Sequence, residues 1–162
     1  MVEQTIEWLE STALANLVFT YGWLWPISEA LHFMGLVLLV GSVGLFDLRV
    51  LGLGKGIPPA AVHRLVPFGL LGFVVSVLTG ILFVTSTPDQ YFYNSAFHFK
   101  AVFLLLMGLN VVFFYLVPHR AVRTLGPHED APRIAKLSAA LSLAFMTAVM
   151  CCGRMLTFYR PL

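Results

Sequence analysis

Charge is what this sequence has least of. Only 11% of its 162 residues are Asp, Glu, Lys or Arg and 59% are hydrophobic, whereas soluble domains carry about a quarter charged residues. That shortage excludes a free-standing soluble domain. The ten basic residues are scattered and barely outnumber the eight acidic ones, so there is no concentrated basic face and no case for nucleic-acid binding. Cysteine is equally scarce. Cys151 and Cys152 are adjacent inside an apolar segment; neighbouring cysteines close an awkward ring and staple nothing, which excludes a disulfide framework. No nucleophile–base triad, phosphate loop or zinc-protease motif occurs. The opening MVEQTIEWLE places acids where a secretory signal would carry positive charge, and no lipidation motif is expected at either end.

What is present is long apolar runs. Four blocks, about 26–48, 65–84, 96–117 and 134–158, are long enough as helices to cross a hydrocarbon core of about 30 Å. The expected fold is all-α: one membrane domain, a four-helix transmembrane bundle running up-down-up-down. Residues 2–17 add a short interfacial helix, with Val2, Ile6, Leu9, Ala13 and Leu17 at helical spacing and Glu3, Glu7 and Glu10 on another face. Tyr21, Trp23 and Trp25 suit the headgroup level, and Pro26 suits the first turn of the first span. Arg49, Lys55 and Arg64 flank the first loop, and Arg120, Arg123, Arg133 and Lys136 flank the third. The positive-inside rule therefore puts those loops in the cytoplasm and both termini outside.

Small residues mark the faces expected to pack. The first span offers Ser28, His32, Gly35, Leu39 and Ser42; the second offers Gly69, Gly72, Ser76 and Gly80, with Thr79 beside them. The third offers Ala101, Gly108 and Tyr115. In the fourth, a stripe of Ala140, Ala144, Thr147, Cys151 and Arg154 competes with Ser138, Ser142 and Phe145, which leaves that helix's rotation open. Asn110, near the middle of the third span, is expected to make an interhelical hydrogen bond.

Ionisable groups inside spans are costly and usually face a cavity, a ligand or one another. Glu29, His32, His98, Lys100 and Arg154 all fall in the outer half by this topology. One reading is a haem b with His32 and His98 as axial ligands from parallel helices, Gly35 and Gly108 making room, and Lys100 and Arg154 meeting propionates. Another is an ion lock of Glu29 with Arg154 or Lys100, in which losing a partner would cost about 3–5 kcal/mol. A third lets Lys100 and Arg154 snorkel to the outer headgroups. His63 and His119 form a matched pair at the inner side, read as solvated interfacial residues or as an inner haem or metal site. Copper is the alternative metal, with Met150, Cys151, Cys152 and Met155 in the fourth span and Met34 near His32. The same residues serve equally as gap-fillers. Asp47 and Arg49 read as a structural pair with Arg64 or with loop backbone.

Three phrases, LHFMGLVLLVGSVGLFDLRVLG, AFHFKAVFLLLMGLNVVFF and CGRMLTF, resemble an uncharacterised family of four-span bacterial inner-membrane proteins distantly similar to the membrane part of copper-resistance protein D. The resemblance implies a bacterial inner-membrane location and a site near His32, Lys100 and Arg154, but supplies no activity. The expected function is thus a small membrane redox protein, or a subunit of a redox complex, holding haem b. The alternatives are a copper-handling component and a cofactor-free structural subunit of a larger membrane assembly or homo-oligomer. Whether it is an enzyme stays open.

Overall fold

A computed structural model describes residues 2–158. All regular structure among them is helical. Two short helices, α1 (Val2–Glu10) and α2 (Ala13–Thr20), precede the first span, α3 (Leu24–Leu51). A short α4 (Pro59–His63) leads into α5 (Val66–Ser86), and α6 (Pro88–Phe92) leads into α7 (Ser95–Leu116). Helix α8 (His119–Arg123) and the third loop then lead to α9 (Arg133–Met155). Four helices are therefore long and apolar enough to cross a membrane, the architecture of a multi-pass membrane protein in contact with lipid. The side carrying α1, α2 and α6 is termed the terminal side, and the side carrying α4 and α8 the loop side.

Residues 2–17 form two helices rather than one. The break falls at Ser11 and Thr12, where the Thr12 hydroxyl accepts from the Ala15 backbone N–H at 3.4 Å and starts α2 as its N-cap. Ile6, Ala15 and Val18 are buried, and both helices pack on α5. At the other end of α3, Gly52 adopts φ 111° and closes the helix, its N–H reaching the Arg49 carbonyl at 3.1 Å. Only glycine takes this left-handed position freely.

Helix α3 is the centre of the assembly, packed on α5 at one flank and α9 at the other, while α7 packs on α9. The α3–α5 seam follows the small-residue stripes. A Cβ placed on Gly35 would sit 2.6 Å from the Gly72 carbonyl oxygen, and one on Gly69 2.7 Å from Val43 Cγ2. Nothing larger than glycine fits that approach, so dispersion contact between backbones holds the pair. Helix α9 buries Ser138, Ser142 and Met146 and exposes Ala140, Ala144, Thr147, Cys151 and Arg154, which settles its rotation. In α7 the buried residues are Met107, Asn110 and Phe114, whereas Ala101, Gly108 and Tyr115 are exposed. The small stripe of α7 is therefore not its packing face: no neighbour approaches a Cβ on Gly108. The tightest apolar packing lies on the loop side, where Phe46, Val50, Phe114, Val122, Ala131, Ala135 and Ala139 form one cluster.

Candidate functional site

On the terminal side, His32 is the best-held member of the expected cluster. Its Nδ1 lies 2.8 Å from Thr79 Oγ1. The Thr79 hydroxyl is itself directed to the Val75 carbonyl at 2.8 Å, so the threonine oxygen accepts and His32 Nδ1–H donates. This leaves Nε2 as an unprotonated donor atom, the arrangement in which a histidine ligates a metal. Ser76 adds a bond to the His32 carbonyl at 3.2 Å, and the ring meets Phe83 edge-on.

The other four residues do not converge on it to the same degree. Lys100 is half-buried, its Nζ beside Gly153 of α9. Residues two positions apart on a helix point about 200° apart, so His98 is turned away from Lys100; it is exposed, with its ring edge-on to Phe97. His32 is therefore the histidine held in the packing and His98 the exposed one. Arg154 is exposed, with its guanidinium 5.4 Å over the Phe158 ring. Glu29 is also exposed. Its charge acts on Tyr91 of α6, whose phenol burial first and Glu29 second hold above the usual value. Among the described residues the ion pairs are Lys55–Asp130 and Lys136–Asp130. No ion pair joins Glu29 to Arg154 or Lys100: Glu29 and Arg154 are exposed, and Lys100 is half-buried against α9. No group of three or more His, Cys, Asp or Glu gathers among the described residues. Of the candidate copper donors, Met34, Met150, Cys151 and Met155 are exposed.

The loop side holds what the sequence reading undervalued. Asp47 is 5% exposed and Arg49 2%, and they do not pair with Arg64. Arg49 Nε donates to the Ile57 carbonyl and its Nη2 to the Gly126 carbonyl at 3.5 Å, clasping the first loop to the third. The loop-backbone reading of Arg49 thus stands. Asp47 is different: Ser142 stands within hydrogen-bonding reach of the carboxylate, while Oδ2 has no partner. It lines a cavity of about 70 Å³ walled by residues of all four spans, including Asn110, Tyr115 and Ser138. No other charged residue lines it. Asn110 makes the expected interhelical bonds: its Nδ2 donates to the Ser138 carbonyl at 3.0 Å and its Oδ1 accepts from Ser138 Oγ at 3.0 Å.

Tyr115 joins this cavity to a second. Its hydroxyl is hydrogen-bonded to His63 Nε2 at 3.0 Å. The His63 and His119 rings lie 5.2 Å apart. Together with Phe46, Pro59, Ala60, Arg64, Val122 and Arg123 they line a vestibule of about 310 Å³. A signal for the inner cavity was available in the sequence. Asp47, Asn110 and Ser138 each lie four to six residues inside the loop-side end of their helix, hence at one depth.

A family model matches residues 5–159. The chain belongs to the family of unknown function DUF6644. No curated protein and no solved structure matches it, so no named relative stands behind the likeness to copper-resistance protein D. In this DUF6644 member the two sides differ in what they hold, a hydrogen-bonded histidine on the terminal side and a buried carboxylate on the loop side.

Proposed function

We propose that the protein is a proton-exchanging component of the bacterial inner membrane, in which Asp47 takes up and releases a proton through the loop-side vestibule. The observation that carries this reading is the Asp47 carboxylate, buried without a counter-ion and with Oδ2 unpartnered beside a small, mostly apolar cavity that Asn110, Tyr115, Ser138 and Ser142 also line. A bare charge there is expensive, and a bound proton removes it. A hard metal cation fits worse. It needs about six oxygen ligands, whereas Ser138 already engages both ends of the Asn110 amide.

The cavity of about 70 Å³ has room for about two water molecules. Beyond it, Tyr115, His63 and His119 follow in sequence to the vestibule. Hydroxyls, imidazoles and water each accept and donate, so these groups make a relay between carboxylate and surface. The positive residues of the first and third loops put this entrance in the cytoplasm and both termini in the periplasm. Infrared difference spectra of reconstituted protein, cycled between acidic and alkaline buffer, should contain a carboxylic-acid C=O band that Asp47→Asn removes. Tyr115→Phe should keep the band and slow its exchange. A spectrum identical in wild type and Asp47→Asn would refute the proposal.

A second reading rests on His32, whose Thr79 bond leaves Nε2 free. It is a redox component holding haem b on His32, with Lys100 and Arg154 available to propionates; bound haem supplies one-electron chemistry. It requires a Soret band in protein expressed with added haem, lost in His32→Ala. A colourless protein contradicts it, and bound copper lost in the same variant would favour the copper alternative.

A further inference from the structure

The vestibule between α4 and α8 carries four basic side chains, His63, Arg64, His119 and Arg123, around one space of about 310 Å³, and no acidic residue lines it. Elsewhere on the loop side, three cations have partners. Lys55 and Lys136 close on Asp130 at 2.9 and 3.0 Å, and buried Arg49 bonds two loop carbonyls. Arg64 and Arg123 have no ion-pair partner among the described residues, although they line a common cavity with two imidazoles whose rings lie 5.2 Å apart and tilted. Gathering like charges without a counter-ion is unfavourable, and an anion in the middle adds an attraction to each cation that offsets their mutual repulsion.

We infer that this vestibule binds an anionic phosphate group. Two guanidiniums offer paired N–H donors that match phosphate oxygens, and the imidazoles add donors on the same wall. A metal cation is disfavoured by the same arginines, and His63 Nε2 is already engaged by Tyr115. The pocket also sits where the apolar runs of α5 and α7 stop, between α4, which leads into the first, and α8, which follows the second. That is headgroup depth, and basic pockets between helix ends at that depth are where anionic lipid headgroups bind. The apolar part of the lining, Phe46, Pro59, Ala60 and Val122, suits the carbon skeleton next to a phosphodiester. The phosphate thus comes from an anionic phospholipid or from free phosphate.

The inference does not rest on the Asp47 reading: Asp47→Asn should leave the phosphate site intact, and arginine substitutions should leave the Asp47 infrared band. Purified protein is placed in nanodiscs of phosphatidylcholine, with or without phosphatidylglycerol, and lipid adducts are counted by native mass spectrometry. Phosphatidylglycerol should be retained over phosphatidylcholine, with affinity falling about tenfold for Arg64→Gln or Arg123→Gln. Lys55→Gln should not alter it. In a second arm, inorganic phosphate is added in phosphatidylcholine discs. Stabilisation against heat that the same arginine variants lose would identify free phosphate as the source. Because Arg64 and Arg123 are exposed, helical content should be unchanged in both variants, and His63→Gln with His119→Gln gives a second route to the same loss. Equal retention of the two lipids with no phosphate effect would overturn the inference. So would full retention in both arginine variants.

Discussion

Glu29, His98 and Arg154 on the terminal side are exposed, each with its own surroundings, whereas Asp47 and Arg49 on the loop side are sealed into the packing. Both sets hold an acid and an arginine, and both lie within a few turns of a helix end. The difference is which face they occupy. A charge on an outward face near a helix end reaches water or headgroups and needs no partner. A charge on a packed seam must be bonded, neutralised or used. Arg49 takes the first course through two loop carbonyls, with its Nη1 left unpartnered. Asp47, with one oxygen unpartnered, is left for the other two.

Substitutions on the two sides should separate sharply. The largest effect is expected for Arg49→Ala, which frees the carbonyls of Ile57 and Gly126. Thermal unfolding in detergent should show a loss of about 2–4 kcal/mol, and a loss near zero would erase the contrast. Next comes Gly72→Ala, whose Cβ would overlap the Gly35 carbonyl oxygen. Overpacking of that kind costs about 1–3 kcal/mol, read in the same assay, with Gly108→Ala as the harmless partner. Glu29→Gln and Arg154→Ala should each stay within about 0.5 kcal/mol, and a loss near 3 kcal/mol in either would restore the ion lock.

The smallest effect concerns Asp130, whose carboxyl is held down to about 2 by hydrogen bonds from Lys55 and Lys136. A depressed carboxyl stabilises the fold above its unfolded value and ceases to as pH falls through the folded one. The loop clasp should therefore weaken between about pH 4 and pH 2. Hydrogen exchange of the His128 amide, bonded to the Lys55 carbonyl at 2.7 Å, should approach that of Asp130→Asn across this window. An unchanged difference at pH 2 would contradict the clasp.

The span positions were legible because long apolar runs have few other meanings. The α3–α5 seam was legible too, since two glycine stripes answer each other. Helix α7 was misread: a small residue permits close approach but does not compel it, and the bulkier Met107 and Phe114 face α9 while Gly108 meets nothing. The break at Thr12 was hidden because apolar spacing runs through it and a capping hydroxyl reads as one more polar residue. Asp47 was undervalued because an acid near the end of an apolar run is ordinarily solvated. Only its depth match with Asn110 and Ser138 argues otherwise, and that match becomes decisive once α9 turns Ser138 and Ser142 inward.

A hydrophobic carbodiimide, which takes up a proton and then the oxygen of a protonated carboxyl group within the membrane phase, distinguishes the two sides in one measurement. Peptide mapping of the labelled protein should place the adduct on Asp47 and not on Glu29, with a yield that falls in alkaline buffer and is indifferent to sodium. Label on Glu29 with Asp47 untouched, or labelling of Asp47 suppressed by sodium, would contradict a proton-exchanging carboxylate on the loop side.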